Sequence, residues 1–141
     1  MGRRNLELMR AIDTAWNMRQ WADYADLLDE DLVAWMSGED TPHGKAEHIV
    51  RAQRFCARFP DCRVHMDPYL DLFLSLDTNR TCSIALLSGS SAVTKGTFKV
   101  SFTAICRWNN GRIIEQREYF DNELLMKQLG LHPTMTSNGE L

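Results

Sequence analysis

Two strand-like segments joined by Asn110-Gly111 restrict the fold of this chain more than any other feature. Residues 97–108 place Phe98, Val100, Phe102, Ala104, Cys106 and Trp108 on one side and Thr97, Lys99, Ser101, Thr103 and Arg107 on the other. A period of two sends these sets to opposite faces of a sheet. Asn-Gly accepts the positive φ that a two-residue hairpin turn demands, so residues 112–120 are expected to return beside the first strand.

The remaining elements supply cover for the apolar face. Leu8, Met9, Ile12, Ala15 and Trp16 form one helical stripe within residues 6–18, with Arg4, Glu7, Asp13 and Arg19 elsewhere. A short second helix is expected over 20–28, a strand over 32–36, turn chemistry over 37–44, and a helix from 45 to 59 that Pro60 stops. Residues 63–76 read as one strand, with Met66, Leu70, Leu72, Leu74 and Leu76 opposite His65, Asp67, Tyr69, Asp71 and Ser75. A further strand covers 81–87, and a last helix from 122 ends at Gly130. The reading is one α+β domain over 1–131, followed by a polar, mobile tail over 132–141.

A chain of 141 residues with 44% hydrophobic and 25% charged residues is long enough for a single core. A net charge of -3 argues against nucleic acid, whose binding needs surplus Lys and Arg. With no apolar run near the roughly 20 residues of a membrane span and no signal-like block, a cytoplasmic setting is expected. Cys56, Cys62, Cys82 and Cys106 lack CxxC spacing and read as small core residues. His43 and His48, five apart, would face different sides of a helix, so no shared metal ion is expected.

The hairpin also fixes which residues stand opposite one another. From a two-residue turn, Trp108 meets Ile113, Cys106 meets Glu115, Ala104 meets Arg117, Phe102 meets Tyr119 and Val100 meets Asp121. That register sends Glu115, Arg117, Tyr119 and Asp121 toward the core, where charges must be paired, neutralised or set against a cavity. A three-residue turn would reverse the parity and bring Gln116 and Glu118 inward. Plainer roles compete: Glu115 and Arg117 as an ion pair, Tyr119 as core, Asp121 as a helix cap. Trp16, Trp21 and Trp35 read as core, with one or two of them lining the pocket.

Arg58-Phe59-Pro60-Asp61-Cys62-Arg63-Val64 resembles the entry to the sheet in SnoaL-like polyketide cyclases, which belong to the cone-shaped fold named after nuclear transport factor two. The run Asn110 to Glu115, then Tyr119-Phe120-Asp121, Leu124-Leu125 and Gln128-Leu129-Gly130, resembles that group's closing strand, acidic residue and terminal helix. Arg117 departs from the family's usual aromatic residue, and residues 88–96 lack a histidine often found there. The resemblance implies a curved antiparallel sheet covered by about three helices plus a C-terminal helix. It also implies an intramolecular aldol ring closure, or related isomerase or hydrolase chemistry, without metal or cofactor. Asp121 inherits the role of general base, with Arg117 or Tyr119 stabilising an enolate oxygen and Glu115, Trp16, Trp35, Phe102 and Ala104 lining the substrate pocket. The alternatives are a non-catalytic binder of a hydrophobic metabolite and a homodimer formed through the open sheet face at Lys99, Ser101, Thr103, Arg107, Gln116 and Glu118.

Overall fold

The structure is a computed structural model and describes residues 2–131. The expected tail over 132–141 lies outside the described residues. Helices α1 (Gly2–Asn17) and α2 (Trp21–Asp26) lead into strand β1 (Leu28–Met36) and helix α3 (Lys45–Arg58). Strands β2 (Arg63–His65), β3 (Asp71–Leu74), β4 (Arg80–Ser90), β5 (Thr97–Asn109) and β6 (Arg112–Phe120) follow, and α4 (Asn122–Gln128) closes the order. The strands form one curved, unclosed sheet in the order β1-β6-β5-β4-β2, with β3 also paired to β4. The sheet is mixed where an antiparallel one was expected, because β1 joins β6 in parallel. Among the described residues no helix is long and apolar enough to cross a membrane.

Residues 63–76 form two strands, not one. Pro68 has no N–H to give a ladder, and the chain breaks there: β2 pairs with 86–88 of β4, whereas β3 pairs with 81–84. The four cysteines are free, and Cys56, Cys62 and Cys106 are buried while Cys82 is half-buried. Two apolar clusters fill the space under the helices. One gathers Met9, Ile12, Tyr24, Leu28, Trp108 and Ile113. The other gathers Phe59, Cys62, Val64, Leu87, Phe98, Val100 and Leu125.

The β5–β6 hairpin decides what faces these clusters. Asn110 and Gly111 both take positive φ, 51° and 79°, so the two-residue turn forms and Trp108 pairs with Ile113 as expected. The next pair is Arg107 with Glu115, which leaves Ile114 as an extra residue in β6. This bulge reverses the parity of everything beyond it. Cys106 meets Gln116, Ala104 meets Glu118, and Ile105 meets Arg117. The expected inward row of Glu115, Arg117 and Tyr119 is therefore corrected: these side chains lie on the outer face, and Gln116 and Glu118 point inward. The cause is packing. Ile113 is fully buried and Phe120 packs on Phe102 with ring centroids 6.3 Å apart. Those two positions are an odd number apart, so one strand keeps both inside only by accommodating an extra residue.

Candidate active site

The inner face of β6 meets polar side chains from three helices. Glu118 keeps 13% of its side chain exposed and faces His48, whose Nε2 lies 3.9 Å from its Oε1. His48 sits in the first turns of α3 with its side chain 4% exposed. His43 precedes that helix and is pinned beside β1 by a pair of backbone hydrogen bonds to Ala34, each 2.9 Å. Because His43 is not helical, the expectation that the two imidazoles face apart fails: His43 Nε2 and His48 Nδ1 share a hydrogen bond of 2.8 Å. Among the described residues, no group of three or more His, Cys, Asp or Glu is placed to hold a metal ion.

Asp13 completes the cluster from α1. It lies one helical turn beyond Met9 and is 8% exposed, on the buried stripe and not on the solvent side where the sequence reading put it. Tyr69 donates a hydrogen bond of 2.6 Å to Asp13 Oδ2, and the Arg10 guanidinium sits over the Tyr69 ring at 5.5 Å. Among the described residues, neither Asp13 nor Glu118 has a Lys or Arg within 4 Å.

Burial without a counter-cation governs the ionisation of both carboxyls. Desolvation raises Asp13 from the ordinary 3.8 to about 7, opposed by the Tyr69 hydrogen bond and the charge of Arg10. Desolvation, then the charge of Asp13, raises Glu118 from 4.5 to about 7, against a hydrogen bond from Gln116 and the more distant Arg51. The Tyr24 hydroxyl is pushed well above its usual range by burial and by the charges of Glu118 and Asp13, so it stays a neutral donor. His48 is driven down to about 3 by burial, by His43 and by Arg51, and is a neutral imidazole at neutral pH. Three side-chain atoms in this cluster are buried with no hydrogen-bond partner: His43 Nδ1, His48 Nε2 and Gln116 Oε1. Buried polar atoms are rarely left so, and each calls for a partner that the surrounding side chains do not supply, whether water, ion or guest.

The residues expected to form the site are divided by the sheet. Phe102 and Ala104 are on the inner face, opposite Phe120 and Glu118, and Trp16 packs between the two apolar clusters. Trp35 is on the outer face, where the Arg117 guanidinium covers its ring at 5.2 Å. Arg117 also lies 4.0 Å from Glu115, which is the plain ion pair foreseen for them. Tyr119 is 43% exposed. Asp121 is the N-cap of α4, exposed, with Oδ1 accepting from the Leu124 N–H at 2.9 Å.

Two depressions lie away from the polar cluster. One of about 620 Å³ is bordered by Asp61, Ser88, Gly89, Phe98, Lys99 and Gln128. A smaller one of about 190 Å³ lies among Arg58, Phe59, Ser91, Val93, Thr94 and Leu131. Neither borders Glu118 or Asp13, so the guest space expected beside the last strand is not one of them.

The fold is shared with several solved structures. IdmH, a proposed polyketide cyclase of Streptomyces antibioticus, superposes with a TM-score of 0.78 at 20% identity, covering 89% of this chain and 97% of its own. A proposed polyketide cyclase from Xanthomonas campestris gives 0.81 at 16% identity over 90% and 97%. A protein of ketosteroid isomerase-like fold from Catenulispora acidiphila, solved with trimethylamine, gives 0.76 at 16% over 89% and 93%. No curated protein matches the sequence. The description of the SnoaL-like polyketide cyclases fits residues 6–129, nearly the whole domain. That match spans the helices, the curved sheet and the closing helix, and the chain belongs to the SnoaL-like polyketide cyclase family.

Proposed function

We propose that the chain catalyses cofactor-independent acid–base chemistry on a small, largely apolar carbonyl compound, in the manner of an aldol ring closure, with Glu118 as the base. The observation that supports this reading is the pair of inward carboxyls, Asp13 and Glu118, both held near neutrality by burial without a cation partner. A general base works best with a pKa near the working pH. Glu118 removes a proton from the carbon beside a carbonyl, and the C–H electron pair moves through the new C=C bond to leave charge on oxygen. The Tyr24 hydroxyl, which stays neutral, is the donor assigned to that oxygen. The enolate carbon then bonds to a second carbonyl carbon of the same molecule, and the alkoxide formed takes the proton back from Glu118. Asp121, first assigned this role through the family resemblance, is engaged as a helix cap on the exposed end of β6.

The test uses 5-nitrobenzisoxazole, whose ring opens when a base in an apolar site removes one proton. Turnover should rise with pH to a plateau, with its midpoint near the value of about 7 held by the acid pair. A midpoint near 4.5, the ordinary Glu value, or binding of the probe without turnover, argues for the binding-module alternative.

A second reading concerns assembly. We infer that a second copy of the chain covers the outer face of the sheet. Val33, Phe73 and Tyr119 are exposed there, beside the half-buried Trp35, Ile84, Leu86 and Ile105, and apolar patches of this kind usually mark interfaces. Arg107, Glu115 and Arg117 lie on the same face, so a two-fold axis can bring unlike charges together. Lys99, Ser101, Thr103 and Arg107 stay on this face as expected, while Gln116 and Glu118 drop out because they point inward. Sedimentation equilibrium should give a dimer for the wild type and a monomer for Ile105→Glu; a monomeric wild type contradicts the inference.

A further inference from the structure

We propose that His43 and His48 form a two-imidazole relay that carries the Glu118 proton between the inner site and the polar surface flanking His43. The inference rests on Glu118 being the base, and it adds where the base's proton goes. A neutral imidazole has one N–H and one lone pair. In the His43–His48 pair, the shared hydrogen bond of 2.8 Å consumes one of each. One N–H and one lone pair are left, and they must sit at opposite ends. Those ends are the two orphaned atoms, His48 Nε2 and His43 Nδ1. Both side chains are buried, so each end needs a partner beyond the neighbouring protein atoms.

The pair has two arrangements of its protons. In the first, His48 Nε2 carries the hydrogen and faces an ionised Glu118, while His43 Nδ1 is bare. In the second, His48 Nε2 is bare and accepts from a protonated Glu118, while His43 Nδ1 carries the hydrogen. Passage between them moves one proton outward. Glu118 O–H breaks as His48 Nε2–H forms, His48 Nδ1–H breaks as His43 Nε2–H forms, and His43 Nδ1–H breaks as a water admitted to that buried nitrogen by local opening takes the proton. Each electron pair stays on its own nitrogen or oxygen, and neither ring ever has to be an imidazolium. Burial disfavours that cation at both rings. His48 Nε2 and Glu118 Oε1 are 3.9 Å apart, so transfer requires the carboxyl and the ring to approach by about 1 Å.

Titratable and charged groups from β6, α1, α2 and α3 act on this balance, while β1 faces His43 with the backbone of Ala34. From β6 come Glu118 and Gln116, and from α2 the Tyr24 ring, stacked on His48 at 6.2 Å. Asp13 of α1 acts on Glu118. Arg51 and Glu47 of α3, with Glu39 before it, act on His43, and Arg51 holds Glu39 at 2.7 Å and Glu47 at 2.5 Å. That trio is the charged group felt at the outer end of the relay, where His43 Nδ1 is itself buried and makes no hydrogen bond to it.

Nitrogen-15 spectra of the imidazoles across pH test the proposal on the intact chain, because bare and protonated ring nitrogens have well-separated shifts. His48 Nε2 should gain, and His43 Nδ1 should lose, protonated character together as Glu118 ionises, with the inner nitrogens exchanging in the opposite sense. Glu118→Gln should freeze the pair in one arrangement at every pH, and Glu118→Asp should restore the exchange. If Glu118→Gln does not fold, the wild-type spectra alone decide, since only a relay moves all four nitrogens in concert. One fixed tautomer throughout, or two rings titrating separately to imidazolium, overturns the proposal. A fixed tautomer combined with Glu118-dependent probe turnover removes the relay and keeps the base. Tautomer exchange without turnover keeps the relay and removes the proposed reaction.

Discussion

Replacing Glu118 by Gln should lower kcat/KM for 5-nitrobenzisoxazole by about 10²–10⁴-fold, the usual contribution of a positioned general base. Gln keeps the size of the side chain and its place between Gln116 and His48, and it removes the only group on the inner face of β6 that can accept a proton as a carboxylate. Folding should survive, because the change takes a buried charge away and does not create one. Near-ultraviolet circular dichroism of Glu118→Gln should match the wild type through the buried Trp108 and its hydrogen bond of 2.9 Å to Thr81. Asp121→Asn should leave the probe reaction within about twofold, since Asn also caps helices well. Equal losses at both positions would move the base back to the strand end.

Stability should fall as pH rises from about 5 to about 8, the reverse of what paired surface carboxylates produce. Asp13 and Glu118 have folded-state pKa values of about 7, above their unfolded values of 3.8 and 4.5, so the folded chain binds their protons more tightly. The stability this gives is complete below the unfolded values and is lost as pH climbs through about 7. At 1.36 kcal/mol per pKa unit, each carboxyl accounts for about 2–3 kcal/mol between those pH values. His48 works against them: its folded value of about 3 is below the ordinary 6.5, so acid costs stability, about 2 kcal/mol by pH ~5. The carboxyls win by roughly 2–3 kcal/mol. Urea unfolding of the wild type should therefore show greater stability near pH 5 than near pH 8. The Asp13→Asn, Glu118→Gln double variant should show the opposite slope, because the buried and half-buried histidines His48, His43 and His65, all lowered, then remain. A wild type that is more stable at the higher pH would mean that the two acids are paired or solvated.

The fold was largely legible in the sequence, whereas the site was legible only in part. Alternation over 97–108 and the Asn-Gly turn predicted the hairpin because both signals are local, and the turn has the backbone expected of it. The single residue that displaced the site, Ile114, is also local, but its effect comes from distant packing. A strand with Ile113 and Phe120 both committed to the core cannot alternate evenly, and the adjacent pair Ile113-Ile114 was the available sign of an irregularity. A one-residue slip moves a whole row of side chains across the sheet, so Glu115, Arg117 and Tyr119 exchanged places with Gln116 and Glu118.

Asp13 was missed for a different reason. A charge on a helix is normally assigned to the solvent side, yet its spacing from Met9, Ile12 and Trp16 places it on the stripe they define. His43 was counted along a helix that begins only at Lys45, and its bridge to Ala34 is a non-local contact that spacing cannot reveal. The parallel pairing of β1 with β6 has the same character, since it joins strands separated by most of the chain.

The most direct check is the ionisation of the Glu118 carboxyl itself, followed by carbon-13 NMR with Asp13→Asn as a companion sample. The Asp13–Glu118 pair should titrate around 7 in the wild type, and the Glu118 midpoint should fall when the neighbouring acid is removed. A Glu118 midpoint near 4.5 that does not respond to Asp13→Asn would contradict it, because the side chain would then be in water and the inner face of β6 would carry no base.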